Sequence, residues 1–173
     1  MNIDPEAGAA SVPATVPREE FVEAMSWAAN GVNVVTTRVG DNWYGLTVSA
    51  ASSVTAEPPT VLACIQHESP TAEAILESRV MCVNVLAEPQ LNVAKVFAGR
   101  DEDRERRFKA GGWSTLKTGA PTLVGALASF DCRVVSAPQV GTHFVFIGLV
   151  VATHVTEGAP LLYTRRDYAR LAR

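Results

Sequence analysis

The sequence lacks the glycine-rich fingerprints of the common nucleotide-binding folds. None of its twelve glycines are spaced as Gly-x-Gly, which excludes the Rossmann fingerprint because that turn needs glycines at fixed offsets. A P-loop, a His-Glu-x-x-His motif and a Gly-x-Ser-x-Gly turn are also missing. Three histidines and many serines leave a serine hydrolase open on composition, but no local motif supports one. A redox cofactor would have to bind without a Rossmann unit.

Cysteine is scarce, and its spacing does not indicate a metal site. Cys64, Cys82 and Cys132 lie far apart, without a Cys-x-x-Cys pair or a zinc pattern completed by histidine. Cys64 and Cys82 fall in apolar runs, where buried and unreactive thiols are usual. We therefore expect no metal ion.

The sequence also lacks a strong net charge and a long apolar run. A net charge of −3 with 19% charged residues gives no reason to expect nucleic acid as a partner. The arginines of residues 104–107 alternate with acidic residues, which favours a solvated, salt-bridged segment. No apolar run is long enough to span a membrane and no signal peptide is evident, so we expect no membrane association and a cytoplasmic location.

The order of the segments predicts one β-rich domain. Residues 1–16 show no periodicity and are predicted to form a mobile arm, followed by a single domain over residues 17–173. Helices are predicted to begin near Pro17, with Gly31 as the stop, and at Ser69-Pro70, where Ala72, Ile75 and Leu76 face inward. A third helix is predicted over 89–97, and residues 100–119 read as an excursion outside the core. Strands joined by short turns predict an antiparallel barrel with peripheral helices, with strands at 32–38, 43–50, 60–66, 80–86, 128–137 and 143–155.

Residues 45–59 are the most informative stretch. Apolar and small polar side chains alternate up to Ala50, which predicts a strand with one face toward the core. The hydroxyls on the other face are small enough for a flat ligand to approach the backbone. An exposed strand followed by a polar turn, ending at Pro58-Pro59, is the alternative.

The same stretch carries a family resemblance. Thr47-Val-Ser-Ala, then Ser52-Ser-Val-Thr and Pro58-Pro-Thr-Val, resembles the signature of the flavin reductase family, and the similarity extends from about Phe21 to about Tyr168. Members are the small reductase components of two-component flavin-dependent monooxygenases, built on a flavin-binding split barrel. The resemblance implies a mainly β, antiparallel split barrel, usually a homodimer. Apolar segments at 80–86 and 144–151 are compatible with a buried interface.

The resemblance also implies which residues hold the flavin. The ring system is expected beside the stretch that resembles the family signature, with the strand at 64–66 passing behind it. These residues are Thr47, Val48, Ser49, Ala50, Ser52, Ser53, Val54, Cys64, Ile65 and Gln66. Ser69 and Thr71 are expected to hold the flavin phosphate at a helix start, an arrangement suited to anions. Simple helix capping is the alternative. Where the family often supplies a basic residue nearby, this chain has His67 and Glu68.

Three further matches concern the ring and the nicotinamide. Asn84, in Val83-Asn-Val-Leu, matches the family's Val-Asn-Val-Leu, and its alternative is a satisfied structural amide. Gly141-Thr-His143 resembles a Gly-Asp-His in which the histidine lies at the nicotinamide side, although a surface histidine is the alternative. Arg166 and Tyr168 fall in the C-terminal Leu-Leu-Tyr…Tyr pattern and border the nicotinamide pocket, unless they are packing residues.

The function implied is an NAD(P)H:flavin oxidoreductase that reduces FAD or FMN, with NADH favoured over NADPH. It would supply reduced flavin to a partner monooxygenase acting on an aromatic compound. No essential general acid or base is expected, because hydride transfer is the chemistry of the cofactors themselves. Two alternatives remain: a non-catalytic flavin-binding or electron-carrying protein, and a split barrel that binds haem or a pyridoxal-type phosphate.

Overall fold

Antiparallel strands make up most of the structure, a computed structural model that describes residues 14–99 and 104–172. The strands are β1 (Asn30–Gly31), β2 (Asn33–Val39), β3 (Asn42–Val48), β4 (Ala51–Ala56), β5 (Pro59–Gln66), β6 (Val80–Val85), β7 (Trp113–Thr115), β8 (Pro121–Leu123), β9 (Ala128–Ser136), β10 (Gln139–Val140), β11 (His143–Val155), β12 (Leu162–Thr164) and β13 (Asp167–Ala169). The helices are α1 (Arg18–Ser26), α2 (Pro70–Ser78), α3 (Leu91–Ala98) and α4 (Arg104–Phe108), with a 3₁₀ turn at Glu88–Gln90.

The main sheet has eight strands in the order β3-β2-β6-β9-β11-β5-β4, with β10 paired to β11. Its two ends meet because β3 runs directly into β4, and the carbonyl of Ala50 in that connection accepts a hydrogen bond from the Cys64 amide of β5 at 2.9 Å. The sheet therefore curls into a split barrel, and the predicted fold class is confirmed. A three-stranded sheet, β1-β12-β13, and a β7-β8 hairpin lie beside it.

Two hydrophobic cores hold the fold together. The first fills the barrel beneath α2 and includes Val35, Ile75 and Phe146. The second lies between β2, α3, β8 and β12, where Val34, Phe97, Leu123 and Leu161 are at most 2% exposed. Burial of apolar area drives both, at about 25 cal/mol for each Å².

Several boundaries differ from the sequence-based expectations. Helix α1 ends at Ser26 rather than at Gly31, and none of its side chains is buried. In α2 it is Ala74, not Leu76, that joins Ala72 and Ile75 in the interior. A mobile arm was predicted for residues 1–16, of which residues 1–13 lie outside the described residues.

Two whole segments differ from the sequence-based expectations. Strand β4 was not predicted, because its side chains from Ser52 onward are exposed and give no apolar alternation. Part of 100–119 belongs to the core: Phe108 and Trp113 pack on the second cluster. Their rings meet at 4.9 Å between centroids, which joins α4 to β7, and both rings contact Phe97 of the second core.

Within the described residues, no helix is long and apolar enough to cross a bilayer.

Candidate functional site

A cavity of about 690 Å³ opens along β3, between α2 on one side and the end of α3 with α4 on the other. This volume is in the range of small-molecule and cofactor sites. Of the sixteen predicted site residues, Thr47, Gln66, Ser69 and Thr71 line it. The sequence motifs at 47 and at 69–71 are therefore brought together in space by the packing of α2 beside β3.

The free edge of β3 offers backbone groups to this cavity. Strand β3 pairs with β2 on one side only within the main sheet. On the other side the Gly45 carbonyl accepts a hydrogen bond from Arg107 Nη1 at 3.3 Å. Since the main-chain groups of an antiparallel strand alternate in direction, the amide and carbonyl of Thr47 also face away from β2. The Thr47 hydroxyl itself donates to the Ala94 carbonyl at 2.7 Å, which ties β3 to α3.

Helix α2 points its N-terminus at the cavity. Ser69 is the N-cap, and its Oγ accepts a hydrogen bond from the Thr71 amide at 3.2 Å. Pro70 follows at the first helical position, where a missing N–H does no harm. The capping alternative is thus realised in the structure. It does not compete with anion binding, because a capped N-terminus still presents the positive end of the helix dipole.

Aromatic side chains form the apolar wall of the cavity. Phe97 and Phe108 line it, with ring centroids 5.1 Å apart in an edge-to-face contact. Trp43 packs on Phe108 from behind at 5.3 Å. Gly45 lets this wall approach β3, since a Cβ there would lie 2.8 Å from Phe97 Cε1. Any side chain at position 45 would push the wall away from the strand.

Arg107 is a site residue that the sequence-based interpretation missed. The acidic residues expected to pair with it lie outside the described side chains, but this arginine is not simply solvated: it lines the cavity and donates to the carbonyls of Gly45 and Gly99. Glu73 and Glu77 of α2 line the same cavity. No local signal could have singled out Arg107, because its neighbours in sequence are equally charged.

The other predicted ring residues continue from the cavity along the surface. Ser49, Ala50, Ser52, Ser53 and Val54 are exposed in the β3–β4 connection and on β4, where Val54 is 50% exposed. Val48 and Ile65 instead face the barrel core, at 8% and 1% exposure. These two side chains are not available to a ligand, which leaves only their backbone groups.

Strand β5 connects the cavity to His143. Gln66 lines the cavity and is the cross-strand partner of His143 on β11. His143 is exposed, and its Nδ1 shares a hydrogen bond of 2.9 Å with the Thr142 hydroxyl. Thr142 therefore orients the imidazole at the position where the family pattern has an aspartate. Cys64 lies two residues before Gln66, half-buried on the outer face of β5.

The Asn84 side chain lies in the interior, where the structure gives it the hydrogen bonds of a satisfied structural amide. Its side chain is fully buried, and its Nδ2 donates to the Val34 carbonyl at 3.1 Å. Its Oδ1 accepts from the Leu123 amide and the Ser129 hydroxyl, both at 2.9 Å. The amide thus joins three strands, β2, β8 and β9, to β6. No part of it faces the cavity.

Arg166 and Tyr168 lie apart from the cavity, on the small sheet. Arg166 Nη2 forms an ion pair with Glu23 of α1 at 2.7 Å. The Tyr168 ring meets Tyr163 edge-on with centroids 5.5 Å apart, against the second core. Partial burial, with a smaller contribution from Tyr163, raises the pKa of the Tyr168 hydroxyl. Within this chain the structure does not bring them to the cavity.

The comparison with known proteins agrees with the fold. The chain belongs to the flavin reductase family: residues 25–172 match the flavin reductase like domain. The NADH-dependent FMN reductase RutF of Ancylobacter novellus is 42% identical over 167 residues, which cover 96% of this chain and 91% of that protein.

Solved structures show the same similarity. The Streptomyces globisporus NADH:FAD oxidoreductase SgcE6, in complex with NAD and FAD fragments, superposes with a TM-score of 0.83 at 26% identity, covering 90% of this chain and 93% of that one. The flavin reductase of the styrene monooxygenase of Pseudomonas putida S12 superposes with a TM-score of 0.81 at 28% identity, over 89% and 98% of the two chains.

Proposed function

We propose that this chain is an NADH-dependent flavin reductase that reduces FMN or FAD and releases the product to a separate monooxygenase. The observation that carries the proposal is the continuous surface from the α2 N-terminus, along the β3 edge and Gln66, to His143. It lies in a chain whose relatives include an FMN reductase that uses NADH. An aromatic substrate for the oxygenase is supported by the similarity to the styrene monooxygenase reductase.

The residues present fit a flavin. Ser69 and the first turn of α2 suit the phosphate, because a helix N-terminus and a hydroxyl both favour anions. Phe97 and Phe108 provide an apolar wall, and the free amide and carbonyl of Thr47 can meet polar ring atoms. The small side chains of Ser49 and Ala50 leave the adjoining backbone open to a flat ring.

Hydride transfer from a nicotinamide is the chemistry that a bound flavin supplies. The protein's part is to hold the two reactants in contact, and correct positioning alone accounts for a large part of such rate enhancements. His143 lies one strand beyond Gln66 and is held by Thr142, which suits it to orient the nicotinamide. No proton needs to move at His143, so we assign it a positioning role.

A homodimer also belongs to this proposal, through one of the two segments expected, 144–151, and not through 80–86. Strand β6 needs no partner subunit, because Met81 and Val83 are already buried in the barrel core of this chain. The outer face of β5 and β11 is the better candidate. There Leu62 and Ile147 are cross-strand partners, as are Cys64 and Val145, and all four are half-buried side chains that belong to neither core. Such an apolar patch is typical of an interface.

Steady-state NADH oxidation with added FMN, FAD or riboflavin tests the proposal. We expect turnover that saturates with both NADH and flavin. A non-catalytic flavin carrier would bind flavin without accelerating NADH oxidation, and that result would overturn the proposed activity. Replacing NADH by NADPH in the same assay tests the nucleotide preference, which we expect to favour NADH.

A further inference from the structure

We propose that Arg107 supplies the positive charge that binds the flavin phosphate, a role for which the chain has no lysine or arginine beside Ser69. The inference rests on the proposed function, because it concerns which part of the flavin lies in the cavity. It assigns the cation to α4, far in sequence from the serine motif and across the cavity from α2.

The structure fixes the Arg107 guanidinium in place. Nη1 donates to the Gly45 carbonyl of β3 at 3.3 Å, and Nη2 donates to the Gly99 carbonyl after α3 at 2.7 Å. A guanidinium has five N–H donors in one plane. Two are used by these carbonyls, and the buried Nε has no hydrogen-bond partner. Each Nη therefore keeps a second N–H, and the two carbonyls set the direction in which these point.

Within the described part of the chain Arg107 has no counter-ion. Among the described residues no carboxylate lies within ion-pair distance of it, whereas Arg166 and Arg170 each pair with a glutamate. An arginine whose charge is partly buried without a carboxylate partner is suited to an anion that arrives with a ligand. A guanidinium held only by two neutral carbonyls keeps its full charge for that purpose.

The rest of the lining makes this cation necessary. Glu73 and Glu77 are the other charged side chains around the cavity. Without Arg107 the lining would carry only negative formal charge, which would repel a phosphate despite the helix N-terminus. Aromatic and backbone groups along β3 serve the ring equally well with or without a cation. The flavin phosphate, and not the ring, is therefore the group that depends on Arg107.

The test measures equilibrium binding of FMN and riboflavin to the purified wild-type protein and to three variants. Arg107→Gln removes the charge and Arg107→Lys retains it. Arg106→Gln is the matched control, since Arg106 is the preceding residue of α4, is exposed and does not line the cavity. We expect Arg107→Gln to weaken FMN binding about 10- to 100-fold, the usual range for a hydrogen bond to a charged group. Riboflavin affinity should change less than about threefold in that variant, and Arg106→Gln should match the wild type for both ligands.

Arg107→Lys addresses the structural role of the guanidinium. The lysine ammonium cannot bridge the Gly45 and Gly99 carbonyls as the planar guanidinium does, but it keeps the positive charge. We expect it to retain most of the preference for FMN over riboflavin, even if its thermal stability falls as much as that of Arg107→Gln. A lysine variant that loses this preference as fully as the glutamine variant would overturn the proposal, as would equal weakening of FMN and riboflavin by Arg107→Gln. A wild-type protein that binds neither flavin would instead refute the proposed function.

Discussion

Removing the Asn84 side chain should destabilise the fold without touching the flavin site. In Asn84→Ala the Leu123 amide and the Ser129 hydroxyl lose their shared acceptor, both in the interior. Each buried donor left without a partner costs about 1–3 kcal/mol, so we expect a loss of about 2–6 kcal/mol in the free energy of unfolding. For a chain of this size that corresponds to a fall in Tm of at least about 4 °C.

Urea unfolding of the wild type, Asn84→Ala, Ser129→Ala and the double variant measures this loss. The double variant should be less destabilised than the sum of the single changes, because Ser129→Ala removes one of the two orphaned donors. FMN affinity, measured on the folded fraction, should stay within about twofold of the wild type. Unchanged stability combined with weakened FMN binding would refute the structural role and return Asn84 to the flavin site.

Three further predictions follow from the site and the core. Ser69→Asp should keep α2 capped, since aspartate caps as well as serine, yet weaken FMN binding more than riboflavin binding; a ratio of FMN to riboflavin affinity unchanged from the wild type would show that Ser69 only caps the helix. His143→Ala should raise KM for NADH and lower kcat by about tenfold or less, whereas a thousandfold loss of kcat would indicate proton transfer. Burial raises the pKa of the Cys82 and Cys132 thiols from 9.0 to about 12. Because they ionise more readily unfolded than folded, the free energy of unfolding should fall as pH rises from about 9 to 12, and a Cys82→Ala, Cys132→Ala variant should show a shallower fall.

Local sequence signals predicted those parts of the fold that depend on local physics. The cap and the first turn of α2 follow from Ser69 and Pro70, whose conformational preferences act within a few residues. Strand β4 was not predicted because an edge strand with exposed side chains needs no apolar alternation. It is recognised in the structure by its backbone pairing with β5.

For the candidate site, too, the sequence could place some residues and not others. The motif residues Thr47 and Ser69 could be placed at the cavity from the family resemblance. Arg107 could not, because its role depends on carbonyls at Gly45 and Gly99 that only the folded chain brings together. Asn84 matched the family motif but is fully buried. A residue that matches a motif can be required by the fold and not by a ligand.

The most direct test of the proposed activity is anaerobic reduction of FMN by NADH in the presence of catalytic amounts of the purified chain. We expect the visible absorbance of oxidised FMN to be lost in step with NADH, one mole for one mole, at a rate proportional to the protein concentration. Oxygen is excluded so that the reduced flavin accumulates and can be counted. A rate no faster than that of FMN and NADH alone, from protein shown to be folded and to bind FMN, would contradict the account.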